Sequence, residues 1–499
     1  MRRKRLIYNT ASSLVVQITE VICGLILPGL ILRAYGSEVN GLIHSIAQFL
    51  ALISLMDMGI GRVVETSLYE PLASKNWEKT SQIISSATRF FRRLGIVLGV
   101  YVIILCFVYP TFVYKAFDNI YVITLILIFS ASFFLQYFFV QTDMRLLNAD
   151  QRIYVLHGVR IATQLINLVV SILLICSGCT IHTLELTVMV LCLWQPVFLR
   201  LYVNHHYKLN RKIQYEGEPI NNKWYGVAQH IEYIVLSNTD YVVLTLFSTL
   251  SNVSVYAIYH MILAGIGKLI QSVKGGFLAL FGELWAKREM EKLEEVFSWF
   301  EWIIHTSTIL LYGCTVMLIV PFVQVYTKGV YDTEYIQRIF AVIMTVAYMF
   351  DCLRTPYNII ILAAGHYKQT QKCYIITAVL NLSISIGMVW HFGIVGVAVG
   401  TFISLGYQTI WMAGYCAKYL VSIRKNIKRI LVDLIMIVLG IGLTIWIHMK
   451  EINIGSWIQT AALTSLIWLV VIVFINMAFY PDMLTKIRAF LAFQDFPNR

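Results

Sequence analysis

Residues 35–79 decide the reading of this chain. They run Tyr35-Gly-Ser-Glu-Val-Asn-Gly41, an apolar span of helix length, Asp57-Met-Gly-Ile-Gly-Arg-Val-Val-Glu65, then Ser67-Leu-Tyr-Glu-Pro-Leu-Ala73 and a basic turn. Three ionisable residues, Asp57, Arg62 and Glu65, fall in the last part of a segment whose other residues suit lipid. A charge at the centre of a membrane helix costs about 2.5–3.5 kcal/mol on insertion scales, so such groups face a partner or a water-filled cavity. A diluted copy of the stretch recurs about 214 residues later. The chain therefore reads as two related halves around one polar cavity.

Composition sets the solvent. Hydrophobic residues are 58% of the 499 and charged residues 13%, against roughly 25% charged in soluble domains. So much apolar surface cannot be hidden in a soluble core, and the chain is expected to be an all-α polytopic membrane protein. The net charge of +12 does not imply nucleic acid, because Lys and Arg collect in cytoplasmic loops of membrane proteins. The nine cysteines are scattered, and Cys176-Ser-Gly-Cys179 has no second ligand pair near it. They read as packing or loop residues, and neither a metal nor a cofactor is expected. The basic start Met1-Arg-Arg-Lys-Arg5 precedes an apolar span too long for a signal peptide, so residues 6–32 are expected to form a retained first helix.

About 20 apolar residues cross a bilayer as a helix, and about fourteen such spans are present. Of the 39 basic residues, Arg33, Lys115, Lys328, Arg338 and Lys450 alone lie in or beside the loops opposite the N-terminus. That asymmetry puts both termini in the cytoplasm. The longest polar linker carries Gly217 and Pro219 and divides the chain. Across it, Val39-Asn-Gly answers Val253-Ser-Val, Tyr69 to Ala73 answers Phe281 to Ala286, and Leu147-Asn-Ala-Asp-Gln-Arg152 answers Leu362-Ala-Ala-Gly-His-Tyr-Lys368, at offsets of 212 to 216. An even number of helices per half makes these parallel repeats, with a substrate site expected between them. The expected layout is a six-helix lobe over 1–209, a cytoplasmic linker over 210–222, a second six-helix lobe over 223–420, and two extra helices within 421–499.

Several polar residues fall on single helical faces. Ser13, Gln17, Glu20 and Gly24 share one in the first span, and Asp57, Gly61 and Glu65 one in the second. Arg62 and Glu65 are three apart and spaced to pair. Glu232 and Asp240 share a face, and so do His260, Gly267, Lys268 and Gln271. Asp351 and Arg354 are again three apart. The candidate cavity residues are Arg62, Lys268, Arg354, Glu65, His260 and Gln17, the three cations as phosphate ligands. Asp240, Glu20 and Asp57 are candidates for proton or sodium coupling. The plain alternatives are intrahelical ion pairs and hydrogen bonds that glue helices together. Trp285, Trp299 and Trp302 read as interfacial anchors, and Tyr256 and Tyr259 as candidates for stacking on sugars.

The polar opening Asn9 to Gln17, Tyr35-Gly36-Ser-Glu-Val-Asn-Gly41, Asp57-Met-Gly59-Ile-Gly61 and Ser237-Asn-Thr-Asp240-Tyr-Val-Val-Leu together resemble the Wzx-like polysaccharide flippases. These belong to the multidrug/oligosaccharidyl-lipid/polysaccharide (MOP) exporter superfamily. The resemblance covers nearly the whole chain. That branch commonly has basic residues where Glu65 and Glu70 stand here. The resemblance implies a flippase of the bacterial cytoplasmic membrane, moving an undecaprenyl-diphosphate-linked oligosaccharide for cell-surface polysaccharide synthesis beside other glycan-assembly membrane proteins. A peptidoglycan lipid-precursor flippase and a drug–cation antiporter of the same superfamily are the alternatives. A membrane-embedded enzyme would call for a large external loop or His and Asp sets at the interface, and neither is present.

Overall fold

The structure, a computed structural model, describes residues 2–57, 60–113, 116–211, 213, 227–272, 274–421 and 426–481. The side chains of a few helical residues, Asp57 and Arg62 among them, lie outside that description. The chain is helical throughout, with no strand among the described residues. The helices are α1 (Arg2–Ala51), α2 (Ile60–Ala73), α3 (Trp77–Val108), α4 (Pro110–Val113), α5 (Asn119–Leu135), α6 (Gln141–Ala149) and α7 (Ile153–Cys176). Next come α8 (Ile181–Cys192), α9 (Trp194–His206), α10 (Val227–Phe247), α11 (Leu250–Gln271), α12 (Lys274–Ala286) and α13 (Met290–Tyr326). The last are α14 (Arg338–Leu353), α15 (Thr355–Ala363), α16 (Tyr367–Phe392), α17 (Ile394–Tyr419), α18 (Asn426–Thr444) and α19 (Ile454–Phe479).

Eleven helical segments among the described residues are long and apolar enough to cross a membrane. The first of them holds two of the expected spans. They run on as one helix, α1, broken at Gly36, whose φ of 84° and ψ of 174° are open to glycine at little cost. The remaining two expected spans fall on α10 and α18, which are helical but are not among those eleven. Large apolar side chains such as Phe107, Ile120 and Ile410 stand exposed, as residues facing acyl chains do.

The internal repeat is written in the backbone. Lys75 and Arg288, Gln151 and Gly365, and Gly178 and Gly393 all have positive φ, and the partners lie 213, 214 and 215 residues apart. Around Gln151 the N–H of Arg152 reaches the carbonyl of Leu147, and around Gly365 that of His366 reaches Ile361. These are the six-to-one bonds of a Schellman cap, which satisfy carbonyls orphaned at a helix end. Asn40 and Ser254, 214 residues apart, hydrogen-bond to each other at 2.7 Å.

The chain divides into two compact units, Met1–Ala257 and Ile258–Arg499. In the first, α1 packs against α7 and α10, α2 against α3 and α6, and α5 against α3 and α8. Thus α10, which lies beyond the linker in sequence, belongs to the first unit's core. In the second unit α17 packs on α14 and α16, while α13 holds α14, α18 and α19.

The last two helices are fastened to α13 by both shape and polarity. Trp468 is wholly buried, with Gly313 of α13 and Gly440 of α18 both set against the Cε3, Cζ3 and Cη2 atoms of its ring. Trp302 is buried too and donates from Nε1 to Asn476 Oδ1 at 2.6 Å, so it is a core residue and not an interfacial anchor. His305 Nδ1 lies 2.7 Å from Asp433 Oδ2, and Arg429 donates to the Trp302 carbonyl at 2.9 Å. Gly313→Val would drive a branched side chain into the Trp468 ring. The expected loss is about 1–3 kcal/mol, read as a lower melting temperature in detergent. Gly442→Ala, where an added Cβ meets nothing within 4 Å, is expected to leave melting unchanged or raise it.

Candidate functional site

Where hydrocarbon supplies no water, each charge needs a partner made of protein. In the first unit those partners converge on α6. A π-helical turn, Gln136–Val140, precedes it. Such a turn inserts a residue into the helical repeat and re-aims the side chains that follow, which is frequent at functional sites. Three consecutive residues of α6 then reach three different elements.

Asp143 is wholly buried and accepts from Arg200 of α9 at 3.1 Å and from Arg211 at 2.7 Å. Met144 Sδ is met by Arg160 of α7 at 3.9 Å. Arg145 pairs with Glu65 of α2 at 2.8 Å. Its guanidinium passes directly over Gly61, where an added Cβ would lie 2.5 Å from it. Gly61 is therefore a gap that lets an arginine through. Just past α6, Asp150 holds Arg152 at 2.8 Å and accepts from the Tyr207 hydroxyl at 2.7 Å. Burial and the adjacent Asp150 carboxylate push the Tyr207 phenol well above its ordinary range, so it remains a proton donor.

The predicted residues fall into separate settings. Glu65 pairs with Arg145, 80 residues away; the Arg62 and Asp57 side chains lie outside the described residues. Gln17 and Glu20 are partly buried on α1. Asp240 is buried in the first unit and accepts from the Tyr256 hydroxyl at 2.8 Å. The Tyr241 ring stands edge-on to Tyr256 at 4.8 Å, and His44 stacks beyond it at 6.3 Å. In the second unit His260 packs edge-on to Tyr348 at 5.7 Å, and Lys268 is exposed in the last turn of α11. Arg354 donates to Asp351 Oδ1 from Nε at 2.9 Å and from Nη2 at 2.6 Å, the pair that the spacing allowed. Gln271 Nε2 donates to the other Asp351 oxygen at 3.0 Å. Tyr256 and Tyr259 are buried with their hydroxyls engaged, Tyr259 on the Tyr335 carbonyl at 2.9 Å, so neither is a stacking platform.

No protein-family model matches the chain, and no curated protein does. Solved structures do. The lipid II flippase MurJ, in an inward closed conformation, aligns with a TM-score of 0.71 at 15% identity, over 96% of this chain and 100% of its own. An outward-facing multidrug resistance transporter of the MATE family, in the MOP superfamily, aligns with a TM-score of 0.59 at 12% identity, over 83% of this chain and 96% of its own. The Vibrio cholerae MATE transporter VcmN, in its bent form, gives 0.51 at 13% identity, over 82% and 94%. The chain has the fold of these transporters. It is a multi-pass membrane protein built as they are, and at such identities the likeness speaks for fold alone.

Sequence reasoning missed one polar face altogether. His157, Arg160, Gln164, Asn167 and Ser171 follow one another along α7 at spacings of three, four, three and four, which is a single helical stripe. Ser12 of α1 meets His157 Nδ1 at 2.9 Å, and Cys23 donates to the Gln164 carbonyl at 3.9 Å. Gln164 Oε1, Asn167 Oδ1 and Ser171 Oγ are buried without a hydrogen-bond partner among the described residues. The same three-and-four count that found the faces of the other spans would have found this one.

The Glu65–Arg145 pair is expected to act as a unit. A double-mutant cycle of Glu65→Gln and Arg145→Gln, read by chemical denaturation in detergent, should give a coupling of about 1–3 kcal/mol. Gly61→Ala alone should abolish most of it by displacing the guanidinium.

Proposed function

We propose that the protein is a flippase that carries an undecaprenyl-diphosphate-linked oligosaccharide from the inner to the outer leaflet of the bacterial cytoplasmic membrane for cell-surface polysaccharide synthesis. The observation that carries this reading is the surplus of arginine around α6. Arg145, Arg152, Arg200 and Arg211 share three carboxylates, Glu65, Asp143 and Asp150, and Arg160 adds a fifth guanidinium beside Met144. A cationic setting suits a diphosphate headgroup, since the planar fork of arginine matches phosphate oxygens. A drug–cation antiporter calls for the opposite sign.

Arg62, Lys268 and Arg354 are the further phosphate ligands in this reading, with Glu65, His260 and Gln17 beside them. Asp240, buried under a tyrosine hydroxyl, leads Glu20 and Asp57 as the group that couples transport to protons or sodium. A peptidoglycan lipid-precursor flippase is the second reading. It is favoured by the alignment with the lipid II flippase, which spans 96% of the chain where the MATE transporters reach 83%. Both readings place a lipid diphosphate in the same chemistry, and the glycan distinguishes them.

Deletion in the source organism separates the possibilities. The expected outcome is accumulation of an undecaprenyl-linked oligosaccharide in the inner leaflet with loss of surface polysaccharide. Accumulation of the peptidoglycan precursor would favour the second reading, and drug sensitivity with a normal glycan coat would favour the antiporter. In complementation, Lys268→Glu is expected to abolish export while expression persists; full export in that variant would remove Lys268 from the site.

A further inference from the structure

Arg160 has no acid. It stands seven residues into α7, a 24-residue membrane span, which is about 10 Å along the helix. Its one hydrogen-bond contact among the described residues is the Met144 thioether at 3.9 Å, a weak acceptor. The arginines around it are engaged otherwise: Arg145 by Glu65, Arg152 by Asp150, and Arg200 and Arg211 by Asp143. Glu20 of α1 is close enough for its charge to reach His157, one turn before Arg160. An arginine kept unpaired in such a span is a functional position by default.

The direction of the side chain fits a ligand at the membrane boundary. Side chains on a helix lean toward its N-terminus, and the contact with Met144 shows Arg160 doing so toward the α6 end. A long cationic side chain leaning that way brings its guanidinium toward headgroup depth. Beyond it, along the same stripe, stand the unpartnered oxygens of Gln164, Asn167 and Ser171.

We propose that Arg160 binds the phosphate of a lipid headgroup where α7 passes the α6 hub. The ligand class is a phosphate-bearing lipid, either a polyprenyl diphosphate or an ordinary anionic phospholipid. The inference deepens the flippase reading and rests on it for the diphosphate alone.

The test uses the full-length protein in detergent, with native mass spectrometry reading the binding of undecaprenyl diphosphate, of phosphatidylglycerol and of neutral diacylglycerol. Arg160→Gln is expected to weaken binding of the phosphate lipid by about ten- to a hundredfold, the worth of a charged hydrogen bond. Arg160→Lys should fall between, because a point charge lacks the fork. The unliganded Arg160→Gln and Arg160→Met proteins should melt no lower than wild type, since the change removes an unpaired charge from an apolar span. Undiminished binding in Arg160→Gln would overturn the inference while leaving the flippase reading in place. Wild-type binding of phosphatidylglycerol but not of the diphosphate, lost in Arg160→Gln, would support the phosphate site and count against the flippase. Melting well below wild type in both neutral variants would make Arg160 a structural residue and overturn the proposal.

Discussion

The hydrocarbon interior cannot solvate a charge, and that constraint orders much of the first unit. Glu65, Asp143, Arg145 and Arg200 each come from a chain otherwise suited to lipid, and each is carried to a partner on another helix. Because α6 is short and follows a π turn, three successive side chains can point to three different neighbours. A longer regular helix would have placed them on surfaces about 100° apart without the adjustment that the turn provides. The pairing also fixes where α2 and α9 stand relative to α6, since breaking one buried partner leaves its mate costly.

Much of the fold was legible because lipid enforces a simple grammar. Apolar runs of span length mark the helices, and matched segments about 214 residues apart mark the internal repeat. Local pairs were legible too: Asp351 and Arg354 lie one turn apart and meet. Long-range pairs were not. Glu65 has a spaced neighbour in Arg62, yet Arg145 reaches it over Gly61. Nothing in the local pattern distinguishes a glycine that lets helices approach from one that makes room for a guanidinium. Trp302 misled for a related reason: tryptophan near a span end is commonly an anchor, and here a partner in α19, Asn476, takes its N–H into the core.

The second unit solves the same problem differently. Its final two helices, α18 and α19, are held by the Trp468 ring set against two glycines and by a buried group of His305, Arg429 and Asp433. Apolar contact between helices has no hydrophobic drive in lipid, so close fit and hydrogen bonds must supply the cohesion. A bulky ring against glycines gives the first, and the buried polar group gives the second.

The paired residues of positive φ share a torsion at equivalent places in the two halves. A left-handed backbone costs a residue with a side chain roughly 1–2 kcal/mol more than it costs glycine. Lys75, Gln151 and Arg288 bear that strain, while Gly178, Gly365 and Gly393 escape it. At no pair is the residue identical except where both are glycine, yet φ is positive each time. The sign of one torsion is thus shared between the two halves where the side chains are not.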